Sequence, residues 1–183
     1  MTATKKNIVW FAIFLVIVAA ATRVLRHLGF VHLPPNVAPI AAMALFGGAI
    51  LPKRLAIALP IATMVLSDAI IGFYTPGVMV SVYACFILSA VLGLWIRKRS
   101  SIRRIVSGSL AGSVLFFSVT NAAVWAFGAW YPKTFQGLTA AYLAGIPFFR
   151  NTVLGDLAFT GIMFGAYAVA QYAVRRRLPA AGT

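Results

Sequence analysis

Two carboxylates are the side chains best placed to do chemistry. Asp68 and Asp156 are the only acidic residues among 183, and both lie in stretches otherwise apolar enough to cross a membrane. A carboxylate in hydrocarbon is costly, so one found there usually pairs with a cation, a ligand or a proton pathway. We therefore expect both to contact a ligand through its amides or hydroxyls. The alternative is a structural ion pair with Arg23 or Arg150 that ties helices together.

Further side chains are of types that line binding sites. The guanidinium of Arg150 suits a ligand carboxylate or phosphate, or alternatively an interfacial anchor. Cys85 is the single thiol, a soft donor suited to cobalt, although a lone membrane cysteine is usually a small apolar filler. The other candidates are one imidazole, two aromatic groups and an amide: His27, Tyr83, Trp125 and Asn121. Their ordinary roles would be contact with lipid headgroups, membership of the aromatic belt, and a paired buried amide.

Composition decides the class of protein. The chain is 62% hydrophobic and only 10% charged, with a mean hydropathy of +0.94. Its long uncharged runs, such as residues 69–96 and 105–132, exceed the roughly 20 residues that a membrane helix needs. The pattern predicts an all-α integral membrane protein that forms one domain over residues 1–183.

The same sequence excludes several functions. The net charge of +14 falls in short clusters between apolar segments, where it sets membrane topology, so we expect no nucleic-acid partner. One cysteine and two histidines five residues apart do not make a metal site of usual spacing. No Walker A or Gly-x-Ser-x-Gly motif is present, and no intrinsic cofactor is expected.

Six transmembrane helices are predicted, separated by proline- and glycine-containing turns. Their approximate ranges are 7–25, 36–51, 55–72, 77–96, 105–130 and 151–174. The second and third are short enough to be tilted or to enter the membrane only partly. The first could instead be a secretory signal, but its length favours a retained helix. Tyr131–Phe149 is expected to be an outer connection, either an interfacial segment or a lid.

The distribution of Lys and Arg predicts the orientation. With both termini in the cytoplasm, twelve basic residues lie inside and four outside. Asp68 and Asp156 would then both lie near the outer ends of their helices, beside Arg23 and Arg150. The polar site is therefore expected to open outward.

Four stretches carry a resemblance to a known family. They read NVAPIAAMALFGGA (36–49), SDAIIGF (67–73), FFSVTNAAVWAFG (116–128) and PFFRNTVLGD (147–156). They resemble small six-helix bacterial membrane proteins similar to the substrate-binding S-components of energy-coupling-factor vitamin transporters. The closest similarity is to a solitary, cobalamin-binding subgroup.

The resemblance implies a bacterial cytoplasmic-membrane protein with an outward-facing vitamin pocket. It also implies a surface for an energising membrane subunit, which Ala38 and Ala42 match by their Ala-xxx-Ala spacing. In cobalamin-binding members a cysteine can ligate cobalt and help remove cyanide. Either Cys85 or Ser81 would occupy that position here; if it is Ser81, both the cobalt chemistry and the identity of the substrate stay open.

Three functions follow as hypotheses. The first is a membrane substrate-binding subunit or solitary transporter for a vitamin-like molecule, with cobalamin or a related corrinoid as first choice. The second is thiol-dependent processing of a cobalamin axial ligand by Cys85. The third is a proton-coupled transporter of small solutes in which Asp68 titrates.

Overall fold

The helical bundle is seen in a computed structural model, which describes residues 3–177 of the chain. Within those residues the secondary structure is entirely helical. The elements are α1 (Ala3–His27), α2 (Ile40–Ile50), α3 (Lys53–Ile71), α4 (Pro76–Arg97), α5 (Ile102–Phe127) and α6 (Phe135–Arg177). The first, third, fourth and fifth begin and end within a few residues of their predicted limits.

The bundle is that of a multi-pass membrane protein. In the described part of the chain, five helices are long and apolar enough to cross a membrane. The exception is α2, whose 11 residues reach about 16 Å, roughly half of a bilayer core. The predicted second span over residues 36–51 is therefore wrong in its extent: Pro39 precedes the helix and α2 begins at Ile40.

The short helix α2 lies inside the bundle rather than in lipid. Nearly all of its residues are buried, including Met43, Ala44 and Phe46. Its backbone meets that of α4 where two glycines face each other, because a Cβ on Gly48 or on Gly93 would lie 2.1 Å from a carbonyl oxygen of the opposite helix. Gly48 and Gly93 thus serve close packing of helices within the bundle.

The end of α2 is completed by a side chain from α4. The guanidinium of Arg97 donates to the carbonyl oxygens of Gly48 at 2.5 Å and Ala49 at 3.2 Å, and also to that of Leu51. These carbonyls have no partner within the helix, and a cation there also complements the negative end of the helix dipole.

The sixth helix is much longer than predicted. It runs over 43 residues from Phe135, so most of the expected outer connection Tyr131–Phe149 is helical. Thr134 precedes it, and the Thr134 hydroxyl accepts from the backbone N–H of Gly137 at 3.1 Å, a normal N-terminal cap. Thr152 lies inside this helix, where its hydroxyl donates to the carbonyl of Phe148.

This change moves one of the carboxylates. α5 and α6 pack antiparallel, with Asn121 against Gly145, Ser113 bonded to Asp156, and Ser109 near Thr160. Ser113 lies near the middle of α5. The placement of Asp156 near a helix end is therefore wrong: it lies 21 residues into α6, at the middle depth of the α5–α6 pair.

α1 is part of the same bundle. It packs mainly on α3. Ala12, Leu15 and Ala19, on one helical face, join a core cluster that includes Met43 and Phe46 of α2. The other side of α1 leaves large apolar residues such as Trp10 and Ile17 exposed, as expected for a helix that faces lipid.

Candidate binding cavity

A cavity of about 410 Å³ lies at one end of the bundle, between the last turns of α1 and the middle of α6. Its size is within the range of small-molecule sites, roughly 300–1,000 Å³. All six helices and the irregular segment before α2 contribute to its wall. The lining residues are Thr22, Arg23, Arg26, His27, Pro35, Asn36, Val37, Ala38, Ile40, Ala41, Met64, Ile71, Phe86, Phe116, Thr152 and Asp156.

The deep end of the cavity carries a buried carboxylate. Asp156 is 5% exposed, and its Oδ2 accepts a hydrogen bond of 2.6 Å from the hydroxyl of Ser113. Among the described residues it has no ion-pair partner. Thr152, one turn earlier on α6, is also buried and also lines the cavity. The apolar walls beside them include Phe86 and Phe116, whose ring centroids are 5.4 Å apart.

Hydroxyl groups continue beyond the carboxylate. A second cavity of about 10 Å³, roughly the size of one water molecule, is lined by Asp156 together with Ser89, Ser109 and Thr160. All three hydroxyl-bearing residues are buried. Thr152, Asp156 and Thr160 are spaced four apart on α6, so they share one helical face. Asp156 therefore lies between a large cavity and a small one.

Basic side chains also line the larger cavity. Arg23, Arg26 and His27 come from the last two turns of α1. Arg23 is already engaged, since its Nη2 lies 2.7 Å from Asp68 Oδ1 and its Nη1 donates to Ser67 Oγ at 2.5 Å. Arg26 makes one long contact of 3.5 Å with the carbonyl of Val37. The guanidinium of Arg26 is thus the less committed of the two.

Asp68 sits behind this wall rather than in it. It is fully buried, and its Oδ2 accepts a 2.7 Å hydrogen bond from the hydroxyl of Tyr83. Together with Arg23, these residues join α1, α3 and α4. The arrangement is the structural ion pair that the sequence offered as the alternative for Asp68, and it positions Arg23 at the cavity.

The charge of this cluster reaches the loop between α3 and α4. Burial, helped by the Asp68 charge and opposed by the Arg23 charge, raises the pKa of Tyr74 from its ordinary 10.0 to about 12. Tyr74 therefore stays protonated at any physiological pH.

The predicted cobalt ligand is not at the cavity. Cys85 is 2% exposed, and its Sγ lies 4.0 Å from the carbonyl oxygen of Leu115 in the α4–α5 contact. The alternative residue, Ser81, donates to the carbonyl of Gly77 one turn back. Neither belongs to the cavity wall formed by the described residues, whereas Phe86, next to Cys85, does.

Three further predicted site residues lie elsewhere. Asn121 donates to the carbonyl of Phe117 at 2.8 Å, and its side chain packs against Gly145, where a Cβ would lie 2.5 Å from Asn121 Oδ1. The indole N–H of Trp125 donates to the carbonyl of Pro132 at 3.0 Å, which fastens the α5–α6 turn. Arg150 is exposed on α6 and lies outside the cavity lining.

The remaining predicted residues line one of the two cavities. His27 lines the cavity, as does Ala38. Ala42 is 1% exposed and lines the smaller cavity. In this conformation the Ala38–Ala42 pair therefore faces inward, where a partner subunit would not reach it.

The hydroxyl-bearing residues around Asp156 were not among the predicted site residues. Ser109 and Ser113 are four apart on α5, as Thr152, Asp156 and Thr160 are on α6. Polar residues at this spacing in two apolar segments predict two helical faces that turn toward each other. That signal was present and would have located the deep end of the site.

Fold and site together define a class: a helical multi-pass membrane protein with an internal cavity that ends on a buried carboxylate. Within that class, the chain belongs to DUF6580, a family of unknown function, whose model matches residues 3–180. No curated protein and no solved structure matches the chain.

Proposed function

We propose that the protein captures a small, vitamin-like organic solute for uptake, as a substrate-binding subunit or a solitary transporter. The observation that carries this proposal is the cavity of about 410 Å³ that Asp156 lines at mid-depth. An ionisable residue at that depth, beside a cavity, is a usual mark of a solute or ion pathway.

Orientation is part of the proposal. The cavity lies at the end of the bundle where α1 ends and α4 begins, opposite the end where α4 finishes with Arg97. The excess of Lys and Arg at the Arg97 end supports a cytoplasmic position for that end. The resemblance adds that the membrane would be a bacterial inner membrane. Both termini would then be cytoplasmic, and the cavity would face outward.

The lining suggests the chemistry of the solute. Asp156 would accept a hydrogen bond or an ammonium group, and Phe86 and Phe116 would contact a flat or apolar body. Arg26 and His27, which line the same cavity, would bind a carboxylate or another hydrogen-bond acceptor of the solute. A compact zwitterionic or donor-bearing ring compound meets these requirements.

A corrinoid is supported by the resemblance but less by the geometry. A cobalt ligand from this chain would be Cys85, whose thiol packs toward Leu115 and away from the cavity. A whole corrinoid is also much larger than the cavity. Because the Cys85 thiol lies away from the cavity, its contacts also give no support to thiol-dependent processing of an axial ligand. An energising subunit stays part of the proposal, but it would dock elsewhere than on Ala42, which is buried.

The experiment is a binding screen on the full-length protein in detergent. Thermal unfolding would be followed with a panel of water-soluble vitamins and their ring precursors, with cobalamin included and also followed by its visible spectrum. We expect one compound to raise the midpoint, and Asp156→Asn to remove that rise. Arg150→Gln, an exposed change on the same helix, is the matched control and should keep it. Binding that is equally tight in Asp156→Asn would refute the role of the cavity.

A second candidate, proton-coupled transport, is favoured by the depth of Asp156. The sequence assigned this role to Asp68, but that carboxylate is held by Arg23 and Tyr83. Asp156 is the carboxylate without an ion-pair partner among the described residues. In proteoliposomes, uptake driven by a pH gradient should fail in Asp156→Asn and persist in Arg150→Gln, the exposed change on the same helix. Gradient-driven uptake that survives the substitution would remove this candidate.

A further inference from the structure

The hydroxyl groups beyond Asp156 make an unusual environment for a buried charge. The carboxylate is 5% exposed, and Ser113 is the one hydrogen-bond donor to it among the described residues. The Ser113 hydroxyl has a single proton, and it also lies 3.1 Å from the carbonyl of Ser109. The Asp156 carboxylate therefore accepts at most one hydrogen bond from these side chains, and its donor, the Ser113 hydroxyl, is shared with the carbonyl of Ser109.

The other hydroxyls do not add donors to the carboxylate. The Ser89 hydroxyl donates to the carbonyl of Cys85 at 3.0 Å, and the Thr160 hydroxyl donates to the hydroxyl oxygen of Ser109 at 3.4 Å. A hydroxyl oxygen that donates its one hydrogen bond still has lone pairs that can accept. Ser89, Ser109 and Thr160 line the small cavity with Asp156, beside apolar residues such as Ala42 and Leu45 that make up most of its wall.

A buried carboxylate beside three hydroxyl oxygens suits a cation. A buried carboxylate without a counter-charge is strongly unfavourable, and several oxygen ligands around one negative charge are what a small hard cation requires. One carboxylate balances one positive charge, so a divalent ion would leave a net charge buried. The cavity of about 10 Å³ has room for a single atom-sized ion, without its hydration shell.

From this geometry we infer that the small cavity binds a monovalent cation of the sodium class, held by Asp156 and by the hydroxyl oxygens of Ser89, Ser109 and Thr160. The site does not depend on which solute fills the larger cavity. Because Asp156 lines both cavities, the cation would lie directly beneath that solute, the arrangement that ion-coupled transporters use near the bilayer midplane.

The test is sodium binding to the full-length protein in detergent, without any organic solute. Thermal unfolding would be measured at fixed pH and ionic strength while choline chloride is replaced by sodium chloride, and retention of radioactive sodium would be measured in parallel. We expect sodium to raise the unfolding midpoint and to be retained. Asp156→Asn should abolish both effects.

Two serines two residues apart on α5 supply a matched pair. Ser109→Ala removes a cavity oxygen and should weaken sodium binding by on the order of tenfold, the effect of losing one contact to a charged group. Ser107→Ala makes the same change on the exposed side of α5, where the hydroxyl contacts the carbonyl of Arg104, and should leave the affinity unchanged. Thr160→Ser keeps an oxygen and should bind sodium better than Thr160→Val.

Three results would overturn the proposal. They are a midpoint that is the same in sodium and in choline, equal sodium affinity in Ser109→Ala and wild type, and stabilisation that follows pH alone. The last result would mean that a proton, not a metal ion, neutralises Asp156. Failure here leaves the solute screen untouched, because that screen can be run in choline.

Discussion

The closest helix contact in the bundle predicts that Gly48→Ala is strongly destabilising. A methyl group on Gly48 would lie 2.1 Å from the carbonyl oxygen of Ala90 and 2.8 Å from the Cα of Gly93. Carbon atoms in ordinary contact are about 3.5–4.0 Å from their neighbours. The axes of α2 and α4 would therefore have to move apart by more than about 1 Å.

The size of the effect follows from what the methyl group meets. Its neighbours are backbone atoms, so no change of rotamer can relieve the clash, and the cost should lie near the upper end of the 1–3 kcal/mol typical of overpacking. Alanine recovers up to about 1 kcal/mol through its better helix propensity. A net loss of about 2–3 kcal/mol in the free energy of unfolding is expected.

The assay is thermal or denaturant unfolding of the purified protein, followed by circular dichroism. Gly161→Ala on α6 is the control, because nothing lies within 4 Å of a Cβ built at that glycine. It should be neutral or stabilising by up to about 1 kcal/mol. Equal midpoints for Gly48→Ala and Gly161→Ala would show that α2 and α4 are not in backbone contact.

Other perturbations test the polar contacts. Arg97→Gln should lower the free energy of unfolding by about 2–4 kcal/mol, because the buried carbonyls at the end of α2 lose a charged donor; chemical denaturation measures it. Arg23→Gln should cost about 3–5 kcal/mol, since it leaves Asp68 buried and unpaired, whereas the exposed Arg150→Gln should change stability by less than about 0.5 kcal/mol in the same assay. Tyr74 keeps its proton to about pH 12 in the native protein but loses it near 10.0 when unfolded, so it lowers stability as pH rises above 10.0. Tyr74→Phe should leave the ultraviolet phenolate signal of the native protein unchanged up to about pH 11, and should remove one phenolate from that of the unfolded chain.

Hydropathy and turn residues predicted most of the helices because those signals are local. A continuous apolar run bounded by proline or basic residues predicts the ends of α4 to within one residue and those of α5 to within three. Such a signal does not separate a helix that faces lipid from one that faces protein, since both are apolar. For that reason the length and burial of α2 were not predictable from its composition.

The beginning of α6 was missed for a different reason. The segment 135–149 contains glycines, a proline and aromatic residues, all of which weaken a helix prediction. In the bundle its glycine is an advantage, because Gly145 lets α6 approach Asn121 of α5 closely. Tertiary packing decided the outcome, and the depth of Asp156 changed with it.

The sequence predicted which charged residues matter, but not which of the two carboxylates lines the cavity. The sequence offered Arg23 as a possible partner of Asp68, and the two are 2.7 Å apart. Whether Asp68 or Asp156 faces a cavity depends on the rotation of α3 and α6 within the bundle. Periodicity does not fix that rotation when every face of a helix is apolar.

The dependence of α2 on α4 also sets an order of events during biosynthesis. An 11-residue helix is too short to be inserted on its own, and its last carbonyls find their donor only in Arg97, far along the chain. Hydrocarbon does not tolerate unpaired backbone groups, so the stretch between α1 and α3 has no stable place in the membrane until α4 has been made. Insertion of α1, α3 and α4 should thus precede the seating of α2, and a nascent chain that ends before Arg97 should leave α2 accessible to water-soluble labels.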